Sequence, residues 1–136
     1  MKGKSILVVL LGLVSALGVE KPAATEAAAQ ALMSHNWIWA ESVNGTKKLE
    51  DLNFYKGGYA HNPEWFTARW ECTGPRTFVL HNTNYGTRMA GTVAHLVFDE
   101  KLVHFVGFDF DGKYFVEGFR REAVDPNREP PITAVR

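Results

Sequence analysis

One cysteine, Cys72, is all the chain has. No disulfide can therefore staple the domain from within, and no cysteine pair is at hand for a structural zinc. An excess of charge of one sign is missing too: 15 basic side chains balance 15 acidic ones. That excludes the basic footprint that draws a domain to nucleic acid or to an anionic membrane surface. There is no glycine-rich phosphate loop and no nucleophile elbow. With 136 residues, the chain holds one domain with its own core, so a single fold must carry whatever site exists.

What the chain does have begins with MKGKSILVVLLGLVSALG. Lys2 and Lys4 precede an uncharged apolar run from Ser5 to Leu17, with small residues at Ala16 and Gly18. This is the pattern of a signal peptide over residues 1–18, cut after Gly18, and the run is too short to span a bilayer. The expected product is secreted or periplasmic, with no integral membrane segment after cleavage. Removing Lys2 and Lys4 takes the basic side chains from 15 to 13 against 15 acidic ones, a net charge of −2. With no disulfide available, stability has to come from packing, and four tryptophans, nine phenylalanines and four tyrosines supply large apolar areas.

The expected organisation has four parts: the signal peptide at 1–18, an alanine-rich helix or linker at 19–35, a β-domain at 36–122 and a proline-rich tail at 123–136. VEKPAATEAAAQALMS (19–34) has high helix propensity, with Pro22 near its start. It reads either as a plug over the sheet or as a tether. From Asn36 the pattern changes to short β-type runs at 37–42, 48–55, 58–61, 64–72, 76–82, 91–99, 101–110 and 113–121. Between them lie turn formers such as Asn44-Gly45, Gly57-Gly58, Asn62-Pro63, Gly74-Pro75 and Asp111-Gly112. Eight short strands with short connections predict an all-β fold. An antiparallel up-and-down barrel is preferred, because closure removes exposed edges, and a two-sheet sandwich is the alternative.

A tryptophan in the first strand (Trp37 or Trp39), a run of hairpins and an arginine in the last strand (Arg120 or Arg121) follow one another across residues 36–121. In this order of features the chain weakly resembles the lipocalin and avidin group of calycin-like β-barrels. The resemblance implies a small barrel for a ligand, closed where the first-strand tryptophan packs on the last-strand arginine, a contact that also makes sense as a cation–π pair.

The stretch HLVFDEKLVHF (95–105) sets one histidine on each side of a turn. A two-residue turn on Asp99-Glu100 or on Glu100-Lys101 puts His95 and His104 on one sheet face, and the first choice makes them face each other. A turn on Asp111-Gly112 pairs Phe110 with Lys113, setting Glu117 beside Val106 and diagonal to His104. Both faces of these strands are apolar. The face with Leu96, Phe98, Phe105, Gly107, Val116, Gly118 and Arg120 is favoured as the core, leaving the histidine face to the helix or to a second subunit.

His95, His104 and Glu117 have the donors for a divalent transition metal, the only cofactor the residues suggest, or for acid–base chemistry. Asp109-Phe110-Asp111-Gly112 echoes the start of a calcium loop, but the spacing beyond it fits a hairpin turn. Trp39, Trp65, Arg69, Tyr114 and Arg120 are the candidate ligand contacts, as aromatic and guanidinium groups suited to a planar molecule. The preferred reading is a non-enzymatic binding or accessory protein for a small apolar or planar ligand, or for a protein partner. The alternatives are an enzyme using His95, His104 and Glu117, and an assembly domain that forms a homodimer.

Overall fold

The computed structural model describes residues 22–84 and 90–131. The signal-peptide expectation therefore lies outside the described residues. Among the described residues one helix, α1 (Ala23–Met33), precedes eight strands: β1 (His35–Val43), β2 (Thr46–Tyr55), β3 (Tyr59–Asn62), β4 (Phe66–Cys72), β5 (Thr77–Asn82), β6 (Val93–Phe98), β7 (His104–Phe108) and β8 (Phe115–Ala123). Each strand pairs antiparallel with the next, and β8 pairs with β1 to close the barrel. Closure excludes the sandwich and leaves no edge unpaired.

Alternation sets the interior. Trp37 and Trp39 of β1, Leu52 and Phe54 of β2, Phe66 and Ala68 of β4, and Phe78 and Leu80 of β5 are buried. Ala94, Leu96 and Phe98 of β6, Phe105 of β7 and Val116 of β8 are buried with them. The expected core face of the last three strands is thus the lumen. Two glycines make that packing fit: a Cβ at Gly118 would overlap the Phe105 ring, and one at Gly107 would overlap the His95 carbonyl oxygen.

The two ends of the barrel differ. At one end Trp37 packs against Phe54, Phe98 and Phe105 at centroid distances of 6.5, 5.8 and 5.3 Å. Helix α1 seals this end. Its buried residues Thr25, Ala28, Ala29 and Leu32 fall at helical spacing, and the Trp37 indole N–H donates to the Leu32 carbonyl at 3.2 Å. The helix is therefore a plug, packed on β1, β2 and β4, and it does not cover the histidine face. The chain after β8 returns to the same end, where Val124 N–H donates to Ser34 O and the Arg128 guanidinium lies 4.8 Å from the Tyr55 ring centroid.

One register differs from the expected one. The connection from β6 to β7 is longer than a two-residue turn: the Asp99 carboxylate accepts hydrogen bonds from the amides of Val103 and His104 at 2.9 and 3.1 Å, and Leu102 adopts φ +56. Phe98 consequently pairs with Phe105 and Leu96 with Gly107. His95 and His104 stay on one face, since parity is kept, but His95 falls beyond the Leu96–Gly107 pair and does not oppose His104. The β7–β8 register is the expected one, with Val106 opposite Glu117. On the outer face of these strands Val97, Phe108, Phe115 and Phe119 are exposed.

Candidate functional site

Among the described residues, the end opposite α1 is open. Strands β1, β3, β5 and β7 run towards it, so their C-terminal ends and the starts of β2, β4 and β8 form a rim. Within the rim lies a cavity of about 400 Å³ whose lining includes Trp39, Phe66, Phe110, Trp65 and Tyr114. Its aromatic floor is mutually packed: Trp39 meets Phe66 at 5.4 Å and stacks on Phe110 at 6.4 Å, and Phe66 meets Phe110 edge-on at 4.9 Å.

Polar side chains shape the mouth, and Asn62, Glu50 and Asp109 among them are buried. Asn62 accepts the amides of Glu64 and Trp65 at 3.0 Å each, an Asx-type turn that ends β3 and holds the Trp65 backbone. Its Nδ2 donates to Glu50 Oε2 at 2.8 Å. Asn84 ties the other side, accepting Thr67 N–H at 2.8 Å and donating to Trp65 O at 2.8 Å. Asp109 caps its own hairpin by accepting the amides of Lys113 and Tyr114, and Gly112 completes the turn at φ +67. The Asp109–Gly112 stretch is thus a hairpin turn.

Carboxyl groups converge on this mouth. Among the described residues, Glu41, Glu50, Asp109 and Asp111 line the cavity, against one ammonium, that of Lys48. Burial pushes the Glu41 carboxyl up to about 8, reinforced by its hydrogen bond to Asp109 and by the charges of Asp109 and Glu50, with Lys48 opposing. Glu41 therefore holds its proton well above the usual carboxylate range. Burial also raises Glu50, helped by the Glu64 charge, against the lowering effects of Asn62, Lys48 and the Trp65 side chain. Glu50 is only 7% exposed, and its Oε1 has no hydrogen-bond partner. The Lys48 ammonium stands 3.9 Å from that oxygen and 3.4 Å from the Trp65 ring centroid.

Of the candidate ligand contacts, Trp39, Trp65 and Tyr114 come together in this cavity. Arg69 lies outside the lumen, its guanidinium 4.9 Å from the Tyr59 ring and donating to Gly57 O. Arg120 pairs with Trp37 in the closing ladder but is exposed, so the expected tryptophan–arginine closing contact is replaced by the Trp37 indole bond to α1. On the outer surface His104 Nε2 and Glu117 Oε1 meet at 3.2 Å, while the other Glu117 oxygen takes the Lys47 ammonium at 2.7 Å. His95 is exposed on β6 and does not join them. Among the described residues no group of three His, Cys, Asp or Glu side chains is placed to hold a metal. The single thiol, Cys72, is buried.

Sequence reasoning passed over Glu41 and Glu50. The signal was available: Trp37-Trp39-Glu41 and Glu50-Leu52-Phe54 each carry an acid in the inward alternation next to aromatics, and both acids fall at the same barrel end.

The closed eight-stranded barrel is the architecture implied by the resemblance to lipocalins and avidins. No family model matches the chain, and no curated or solved protein is significantly similar to it.

Proposed function

We propose that the protein is a non-enzymatic binding or accessory protein, secreted or periplasmic, that holds a small apolar or planar ligand in the open mouth of its barrel. The observation that carries this reading is the cavity of about 400 Å³ with an aromatic floor and a polar rim. Such a volume falls within the roughly 300–1,000 Å³ usual for small-molecule sites, which are mostly apolar with a few placed polar groups. The division of the lumen supports it: large rings fill the helix end, while the mouth is left open between Trp39, Phe66 and Phe110. Asn62, Asn84 and Asp109 hold the rim through their backbone hydrogen bonds, so the site is formed before a ligand arrives, which lowers the ordering cost of binding.

The test is titration with N-phenyl-1-naphthylamine, a neutral apolar fluorophore. One equivalent should bind with a blue-shifted, enhanced emission. Trp65→Ala should weaken the complex, and Arg69→Ala, on the outer wall, should leave it unchanged. Equal binding by all three proteins, or none by the wild type, would defeat the reading.

A further inference from the structure

The binding-barrel reading leaves the class of ligand open, and the mouth carries more information about it than its shape. Among the described residues, four carboxyl groups and one ammonium line the cavity. Even with Glu41 holding its proton, acidic groups outnumber the ammonium among the described residues of the lining. Glu50 adds a second, independent observation. It is more than nine-tenths buried and lines the cavity, and its Oε1 accepts no hydrogen bond. A buried carboxylate oxygen in that state is costly unless a donor reaches it.

The protein's own lysine shows what kind of donor suits the place. Lys48 lays its ammonium over the Trp65 face at 3.4 Å, yet stays 3.9 Å from Glu50 Oε1, beyond hydrogen-bond distance. One cation thus rests between an aromatic face and a carboxylate, ion-paired with the carboxylate but not hydrogen-bonded to it. Lys48 is nearly half exposed, so its side chain can leave for solvent.

From the unpartnered Glu50 oxygen, the acidic rim and the aromatic floor together, we infer that the cavity binds an organic cation: an ammonium on an apolar or planar body. The assignment rests on the binding-barrel reading and specifies its ligand. The ammonium displaces Lys48 from the Trp65 face and donates to Glu50 Oε1, while the body lies against Trp39, Phe66 and Phe110. Cation–π attraction and a charge-assisted hydrogen bond then act in one site.

Calorimetric titration with three indoles of similar shape tests this: tryptamine (cationic), tryptophol (neutral) and indole-3-acetate (anionic). Tryptamine should bind at least about tenfold more tightly than either analogue, as expected for one charge-assisted hydrogen bond. Glu50→Gln keeps an acceptor for Asn62 and should remove that preference while tryptophol still binds, with an unchanged near-ultraviolet dichroism spectrum reporting an intact fold. Lys48→Met, which removes the resident ammonium, should tighten tryptamine.

Tryptophol binding as well as tryptamine, or a preference that survives Glu50→Gln, would overturn the cation assignment and leave the binding barrel standing. A weaker tryptamine complex in Lys48→Met would do the same. Failure of all three indoles to bind would overturn both.

Discussion

Glu41, near the end of β1, shares a hydrogen bond with Asp109, just past the end of β7, across the open mouth of the barrel. The contact joins two strands that are not ladder neighbours, and it depends on a proton. With Glu41 held at about 8 against an ordinary value of 4.5, the folded protein binds that proton more tightly than the unfolded chain does. The stability contributed by this group is therefore whole below about pH 4.5 and is lost progressively as pH rises to about 8.

Glu41→Gln should flatten that dependence. The amide keeps a hydrogen bond to Asp109 without the titration. Its melting temperature should exceed the wild type's at about pH 9 and approach it at about pH 5, when scanned in matched ionic strength. Other groups near the pair are common to both proteins: Lys48, Glu50 and Glu64 on the β2 and β3–β4 side, and Asp111 and Tyr114 on the β7–β8 side. A constant offset at every pH would show that Glu41 does not hold its proton as described.

Gly118→Ala should destabilise the barrel by about 1–3 kcal/mol, because the added methyl overlaps the Phe105 ring in a filled core. Urea unfolding measures it. Phe105→Leu in the same chain should recover part of the loss by vacating the overlap, and strict additivity of the two changes would contradict the packing described.

Leu32→Ala should cost about 2–5 kcal/mol, the usual range for a fully buried leucine, and leave binding at the mouth unchanged in the protein that remains folded. The helix end and the open end are separated by the Trp37, Phe98 and Phe105 layer. A change in ligand affinity larger than the error of the titration would mean that the two ends communicate.

His104→Ala should change stability by about 1 kcal/mol or less, since its pair with Glu117 lies half-buried on the outer surface and is still reached by solvent. Its Glu117 partner keeps the Lys47 ammonium at 2.7 Å. Among the described residues no third His, Cys, Asp or Glu joins this pair to hold a metal, so chelator treatment should leave the melting temperature of the wild type unmoved. A chelator-dependent drop would return the outer histidines to consideration.

Most of the strand order was legible in the sequence because each strand is bounded by residues with a definite backbone preference. Asn44-Gly45 takes the left-handed conformation at both positions, and Asp111-Gly112 sets the β7–β8 register on which Glu117 meets His104. The β6–β7 register was not legible. It is fixed by the Asp99 carboxylate capping two amides and by a left-handed Leu102, a conformation that leucine's sequence preference argues against. The mouth was legible only in part. Trp39, Trp65 and Tyr114 stand out by type, whereas Glu41 and Glu50 look like ordinary strand acids until barrel closure turns their side chains into a common lumen. Arg69 and Arg120 stand out equally by type but sit on the outside of the wall or beyond its end.

The indole N–H signals of the four tryptophans place the ligand most directly. Trp37 and Trp70 bond to Leu32 O and Tyr55 O at the helix end, whereas Trp39 and Trp65 line the mouth. Proton–nitrogen correlation spectra recorded with increasing N-phenyl-1-naphthylamine should move the Trp39 and Trp65 signals and hold the other two still. Movement of Trp37 or Trp70 with Trp39 and Trp65 unchanged would contradict a binding site at the open end of the barrel.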